Sequence, residues 1–261
     1  MSEEAELLEF AKDAVRSAAA DFFAHGHAYL GQITATELGG KETKLVADAV
    51  LDHALRSSFL RTGLSLLSEE SGLVKHDSDR GLCWVIDPLD GSVNYLRSIG
   101  PSAISVALCR NGQPLLGVLY SLNTRMLSWG GQGIGAWSEG QAIRVSATKR
   151  MEEGLICAGI PARFKTDDQD TVNAYFRMIT RFAKIRMLGS AASSLLLVAQ
   201  GGADVYFEDQ IMLWDVAAGL AIVEGAGGRV RMAPAATVEN SGRVVAATAA
   251  IWSELENRSF V

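Results

Sequence analysis

Between Glu4 and Ala24, apolar residues fall at Leu7, Leu8, Ala11, Ala14, Val15, Ala18 and Phe22, a three- and four-residue rhythm that predicts an amphipathic helix. Acids crowd its first turn, where they complement the positive end of the helix dipole. After the Gly39-Gly40 break the rhythm returns at Ala47, Leu51, Leu55 and Phe59, predicting a second helix with Asp48 and Asp52 one turn apart on its flank. Read blandly, those two acids are simply solvated. Between residues 82 and 145 the signal becomes a series of short apolar or alternating runs at 82–86, 103–109, 115–120, 126–129, 135–137 and 142–145. The breaks Asn111-Gly112, Asn123-Thr124 and Glu139-Gly140 tolerate turn geometry, so this segment predicts an antiparallel meander into which no helix fits. From residue 150 strands and helices alternate: strands at 155–158, 205–208, 230–232 and 244–248, helices near 171–182, 191–200 and 214–224. The expected organisation is an α+β lobe over 1–148 followed by an α/β lobe over 149–261.

Composition narrows the class. An apolar share of 48% with 21% charged residues in 261 excludes a disordered chain. The longest charge-free stretch, 187–203, contains Gly189, Ser190, Ser193, Ser194, Gln200, Gly201 and Gly202, and is too short and too polar to cross a bilayer. Four glutamates and no base precede the first apolar run, the reverse of a secretory leader, so a cytoplasmic protein without a membrane partner is expected. Cys83, Cys109 and Cys157 are odd in number, far apart and set in apolar runs, which reads as reduced core residues. With 24 basic against 30 acidic residues the net charge is −6, and no basic stripe interleaves with aromatics; a nucleic-acid face has no support and a small-molecule partner is expected.

The chemistry concentrates in Trp84-Val-Ile-Asp87-Pro-Leu-Asp90-Gly-Ser-Val-Asn-Tyr95. An apolar strand runs into a carboxylate, the proline is expected to end its ladder, and a second carboxylate follows before a glycine. Gly91 permits a sharp turn, and Ser92-Val-Asn can open a helix whose free N–H groups face an anion. Carboxylates with neighbouring carbonyls are hard ligands suited to magnesium, which recruits phosphate oxygens as further ligands. Alone, Asp-Pro-x-Asp-Gly is as readily a turn. Glu69-Glu70 before Ser71-Gly72 is a second strand end bearing acids, though an acidic pair before glycine is commonly a solvated loop. Asp215 after Trp214 opens an apolar helix, where ordinary helix-start electrostatics is the bland reading. Gly130-Gly-Gln-Gly-Ile-Gly135 follows a meander strand and opens no helix, so a dinucleotide fold is unsupported. No Ser-His or Cys-His nucleophile pair is evident, and His25, His27, His53 and His76 lie away from the acidic motifs.

Asp87-Pro-Leu-Asp-Gly-Ser-Val-Asn-Tyr resembles the DPxDGTxNF signature of the inositol monophosphatase family, and Trp214-Asp-Val-Ala-Ala-Gly-Leu-Ala-Ile-Val-Glu-Gly-Ala-Gly-Gly resembles its second signature, WDxAAxxLIxxEAGG. The likeness extends to Glu69-Glu70-Ser71, to the segment 133–146, to Gly189-Ser-Ala-Ala and to Gly201-Gly-Ala-Asp204, and so spans nearly everything from residue 40 onward. It implies a layered αβαβα sandwich of the sugar phosphatase type, a homodimer in the family's usual manner, and a lithium-sensitive phosphomonoesterase using two or three Mg2+ ions. Carried over residue by residue, Glu69, Asp87 and the Leu89 carbonyl hold the first metal, and Asp87, Asp90 and Asp215 the second. Ser92 takes the place of the family threonine that activates water together with Asp48; the Gly91 and Ser92 amides cradle phosphate; Gly189, Ser190, Ala191 and Glu208 line the sugar-hydroxyl side. Ser stands for Thr at 92, and Lys44-Leu-Val-Ala-Asp48 replaces the family's VTxxD. The resemblance points to hydrolysis of a polyol phosphate, inositol monophosphate first. Fructose 1,6-bisphosphate (alone or as a dual activity), histidinol phosphate and 3',5'-bisphosphonucleotides are the alternatives within the class. A non-catalytic regulatory binding protein is the alternative from another class, and it predicts losses among the five ligand positions, none of which is lost.

Overall fold

The computed structural model describes residues 2–37, 42–77, 80–160, 169–234 and 238–257. Its helices are α1 (Glu3–Ala24), α2 (His27–Leu30), α3 (Val46–Phe59), α4 (Ser92–Arg97), α5 (Gln169–Ile179), α6 (Ala191–Ala199), α7 (Leu213–Gly225) and α8 (Ala249–Asn257). A small hairpin, β1 (Ile33–Glu37) and β2 (Glu42–Leu45), precedes α3. The first large sheet has the order β10-β9-β8-β7-β6-β5-β3-β4, built from β3 (Ser65–Ser68), β4 (Gly72–Val74), β5 (Leu82–Asp90), β6 (Ala103–Arg110), β7 (Gln113–Ser121), β8 (Met126–Gly131), β9 (Gly135–Ser138) and β10 (Gln141–Ala142). The second has the order β12-β11-β13-β15-β14, from β11 (Leu155–Ala158), β12 (Lys184–Arg186), β13 (Val205–Met212), β14 (Arg229–Pro234) and β15 (Ser241–Ala247).

Strand periodicity explains the layering. Along β5, Leu82, Trp84 and Ile86 pack with Leu8, Val15, Phe22, Leu51 and Phe59 of α1 and α3, while Cys83 and Val85 turn to the opposite face with α6 and α7. Both faces are covered, which is why the strand reads as a continuous apolar run. In the second sheet Tyr206, Val244 and Ala246 join the α6–α7 layer, whereas Val205, Phe207, Val245 and Ala247 pack with α5 and α8 through Tyr175, Met178, Ile251 and Trp252. Helix, sheet, helix, sheet, helix is the resulting stack, the sandwich that the resemblance implies.

Two local expectations are corrected. Pro88 does not end β5: the strand continues to Asp90, with a register irregularity between Asp87 (paired with Ser105) and Asp90 (paired with Ala103). An irregularity is where a central strand accommodates a residue that cannot donate to the ladder. The 82–145 segment is not free of helix either, since α4 interrupts the meander directly after that irregularity.

Helix α7 lies almost backbone to backbone against the first sheet. A Cβ added at Gly117 of β7 would overlap the Ala218 carbonyl oxygen and stand 2.6 Å from the Ala218 Cα; one at Gly225 would stand 2.8 Å from the Gly131 nitrogen. Gly117→Ala therefore has to lift α7 from the sheet, with an expected loss of about 1–3 kcal/mol in urea denaturation. Because α7 carries Asp215, the same variant should also lose the phosphomonoesterase activity that the resemblance implies. Unchanged stability and activity would mean that the helix does not depend on this close approach.

Candidate active site

The site forms where strand ends of the first sheet meet the starts of α3, α6 and α7. Parallel pairing of β3 with β5 places Ser68 opposite Ile86, and the Glu69 amide donates to the Ile86 carbonyl at 3.1 Å, so Glu69 emerges beside Asp87. Asp87 has the strand parity of Cys83 and Val85, which directs it to the α7 layer. There Asp215 opens α7, and carboxylate oxygens of Glu69, Asp87 and Asp215 all lie within 4.8 Å of one another.

Asp48 and Asp215 use one local device from opposite layers. Each is the third residue of its helix and turns an oxygen back to a backbone N–H: Leu45 N donates to Asp48 Oδ2 at 2.6 Å, and Met212 N to Asp215 Oδ2 at 3.2 Å. The helix-start reading thus accounts for one oxygen of each acid. The other oxygen of Asp48, Oδ1, lies 2.8 Å from the Ser92 hydroxyl, which also lies 2.9 Å from the Leu89 carbonyl oxygen. Leu89 N in turn donates to Asp87 Oδ1 at 2.9 Å. Asp52, by contrast, accepts from Ser68 and Ser71 and takes no part in the acid cluster.

Asp90 stands apart from the converging trio. Its Oδ1 accepts from Ala191 N at 3.2 Å, and its Oδ2 accepts from Ala192 N at 3.0 Å and from the Ser190 hydroxyl, so the start of α6 holds it. Gly91 sits at φ +83°, the left-handed region that glycine enters without cost, and a Cβ there would stand 2.9 Å from the Pro101 carbonyl oxygen. Gly189 approaches α4 through Asn94, whose amide donates to the Leu188 and Pro101 carbonyls at 2.7 and 2.9 Å. Glu208 is buried on β13, and it lies near enough to Asp90 and Asp215 for their charges to interact.

Negative charge dominates this region. Burial, then the neighbouring Glu69, Asp90, Asp215 and Asp48, hold Asp87 well above the usual carboxylate range. Burial and the charges of Glu69, Asp90 and Glu208 do the same to Asp215. Burial pushes Asp48 and Asp90 up to about 6 and Glu208 up to about 7. Glu69 is pushed up to about 7 by the atoms crowded round its carboxylate and by the like charge of Glu70, although the residue as a whole is exposed. Among the described residues no ion pair reaches Asp87 or Asp215; Lys44 binds Glu70 at 2.7 Å at the edge of the cluster. An excess of hard anionic oxygen donors without cationic partners fits a divalent cation of the magnesium kind.

A cavity of about 180 Å3 opens onto these groups, lined by Asp48, Glu69, Gly91, Ser92 and Gly189, together with Thr43 and Lys44, which the sequence reading did not single out. Their only signal was position, just ahead of Asp48 on the strand leading into α3. A larger cleft of about 470 Å3 lies elsewhere, between Pro114, Leu213, Glu224 and Met232, away from the trio of converging acids. Glu208 disfavours a second phosphate unless a base such as Arg163, Lys165 or Arg186 offsets it; Arg186 is exposed, its guanidinium donating to the Ile185 carbonyl, and Arg163 and Lys165 lie outside the described residues.

These shifts make a prediction about stability. Acids whose pKa is higher in the folded than in the unfolded chain bind extra protons when folded, so their contribution is present below about pH 4 and is lost as pH rises through about 6 to 7. The metal-free protein should show a Tm that falls from pH 5 to pH 8, and millimolar Mg2+ should raise Tm more at pH 8 than at pH 5. A metal-free Tm that climbs over this interval would contradict the cluster.

Residues 3–260 match the model of the inositol monophosphatase family. The inositol-1-monophosphatase of Synechocystis is 32% identical over 257 residues, covering 95% of this chain and 86% of that protein. The Nus factor SuhB of Escherichia coli is 32% identical over 184 residues, 70% of this chain and 68% of its own. The structure of inositol monophosphatase from Anabaena superposes with a TM-score of 0.80 at 29% identity, covering 98% and 96% of the two chains. The αβαβα sandwich is thus the sugar phosphatase fold, and the chain belongs to the inositol monophosphatase family of metal-dependent phosphoric monoester hydrolases.

Proposed function

We propose that this enzyme hydrolyses the phosphate monoester of a polyol, with inositol monophosphate as the preferred substrate and Mg2+ as the cation. The observation that carries the reading is the meeting of the Glu69, Asp87 and Asp215 carboxylates beside the hydrogen bond between Ser92 and Asp48. Glu69, Asp87 and the Leu89 carbonyl would hold one cation and Asp87, Asp90 and Asp215 another, Asp87 serving both. In Asp90 the oxygen left with spare acceptor capacity is Oδ1, since Oδ2 already accepts twice. Bound cations would supply neutralising charge to the phosphate oxygens and the departing alkoxide, and make water more acidic.

The remaining work falls to the chain itself. With its own proton directed to Asp48, the Ser92 oxygen keeps lone pairs with which to accept a proton from water, and Asp48 can receive the Ser92 proton in the same event. The burial that raises Asp48 to about 6 makes it a better base than an ordinary aspartate near neutral pH. Gly91 and Ser92 stand at the start of α4 and line the same cavity, where their backbone N–H groups would hold phosphate oxygens. Gly189, Ser190, Ala191 and Glu208 would face the alcohol that leaves.

Phosphate release from inositol monophosphate should stop on exhaustive chelation and return with Mg2+. Asp87→Asn should lower kcat/KM by at least about tenfold more than Asp90→Asn, because it serves both cations; equal losses would remove the shared role. Ser92→Ala should lower kcat by on the order of a hundredfold with little change in KM, while Ser92→Thr stays active. Full turnover in Asp48→Asn would rule out the relay.

A further inference from the structure

Strand β13 presents Tyr206 and Glu208 on one face, two residues apart, toward the central helical layer; Val205 and Phe207 face the other way. Tyr206 is 1% exposed. Its hydroxyl donates to Glu208 Oε2 at 2.8 Å, and this is the one hydrogen bond it makes among the described residues. A phenylalanine would satisfy the packing around this ring, because a buried hydroxyl gains nothing in an apolar layer unless it has a partner. The tyrosine is explained by Glu208.

On the other side of the carboxylate stands Gly159, just past the end of β11. Extending the pairing of Cys157 with Tyr206 and Ala158 with Phe207 by one step brings Gly159 level with Glu208. A Cβ added to Gly159 would overlap both oxygens of that carboxylate, and the three atoms nearest the position all belong to the Glu208 carboxyl group. The Gly159 carbonyl is itself fixed by the Tyr175 hydroxyl at 3.0 Å. Glu208 is thus held by a donor on one oxygen and seated in space left by an absent side chain, while among the described residues its Oε1 accepts no hydrogen bond.

We propose that Tyr206 is a positioning residue for substrate choice: by occupying Oε2 it turns Oε1 of Glu208 toward a hydroxyl of the leaving alcohol, favouring hydroxyl-rich esters over simple ones, with Gly159 providing the room. This rests on the reading that Glu208 faces the leaving group. Burial pushes Glu208 up to about 7 and the Tyr206 hydrogen bond pulls it down, so the same contact helps keep the carboxylate an acceptor near neutrality. An acceptor fixed in this way rejects substrates lacking a hydroxyl at that point more strongly than a mobile one does.

The test compares inositol monophosphate with p-nitrophenyl phosphate, which offers no alcohol hydroxyls, using the full chain with Mg2+. Tyr206→Phe should raise KM for inositol monophosphate at least about threefold more than for the nitrophenyl ester, with kcat for the two moving together. Gly159→Ala, which displaces Glu208 from the other side, should change the KM ratio in the same sense. Neither should do so in a Glu208→Gln background. Circular dichroism and Tm establish that each variant is folded. If Glu208→Gln alone leaves the KM ratio unchanged, the reading of Glu208 fails and this proposal with it. If Glu208→Gln shifts the ratio while Tyr206→Phe and Gly159→Ala move both substrates equally, Glu208 keeps its role and the positioning role of Tyr206 is overturned.

Discussion

Repulsion among crowded carboxylates is the constraint on which the rest of the molecule depends. Glu69, Asp87 and Asp215 are forced together with Asp48, Asp90 and Glu208 close by, and like charges at that spacing in a poorly solvated place raise one another's affinity for protons. Left to itself such a cluster would spread apart. What prevents this is rigidity in the supporting layers: a central strand pinned on both sides by its neighbours, and a helix seated on glycines with no room to slide. The same strain creates affinity for a cation, since a multivalent ion removes the repulsion without requiring the scaffold to move.

Backbone amides share the task. Leu45, Met212, Leu89, Ala191 and Ala192 each donate to one of the acids, so helix starts and a strand irregularity contribute positive ends of dipoles beside the charge of Lys44, which pulls Asp48 and Glu69 down. These donors orient as well as neutralise. An acid tied through one oxygen keeps a defined direction for the other, and a site that must place several ligands around a small ion benefits from that loss of freedom.

Much of this was legible in the chain itself. The rhythm of α1 and α3 and the apolar runs of the meander follow from burial on one stripe or on two faces, and they lie where periodicity put them, except that the 142–145 run is strand only at Ala142, the end of β10. The acids stood out because charge interrupts apolar runs at Asp87 and Asp215. Less visible were features set by partners distant in sequence. Pro88 reads as a strand end because nothing local reveals that β6 tolerates a shifted register. The hairpin β1–β2, the helix α2 and the short edge strand β12 carry too few residues for a period to emerge. Tyr206 lies inside one apolar strand run and Gly159 just past another, about 50 residues apart in the chain; only the fold shows both beside one carboxylate.

The paired helix starts have a consequence for how activity arises as the chain folds. Asp48 enters from the outer helical layer, Asp87 from the sheet and Asp215 from the inner layer, and well over half of the chain separates the first from the last. No single layer or contiguous fragment holds enough of the set to work. On the proposed roles of these acids, hydrolysis would report that three layers have docked in register, and a partly assembled intermediate would be silent rather than poorly selective. Turnover recovered during refolding would lag behind helix content measured on the same sample, and the length of that lag would time the docking of α7 onto the sheet.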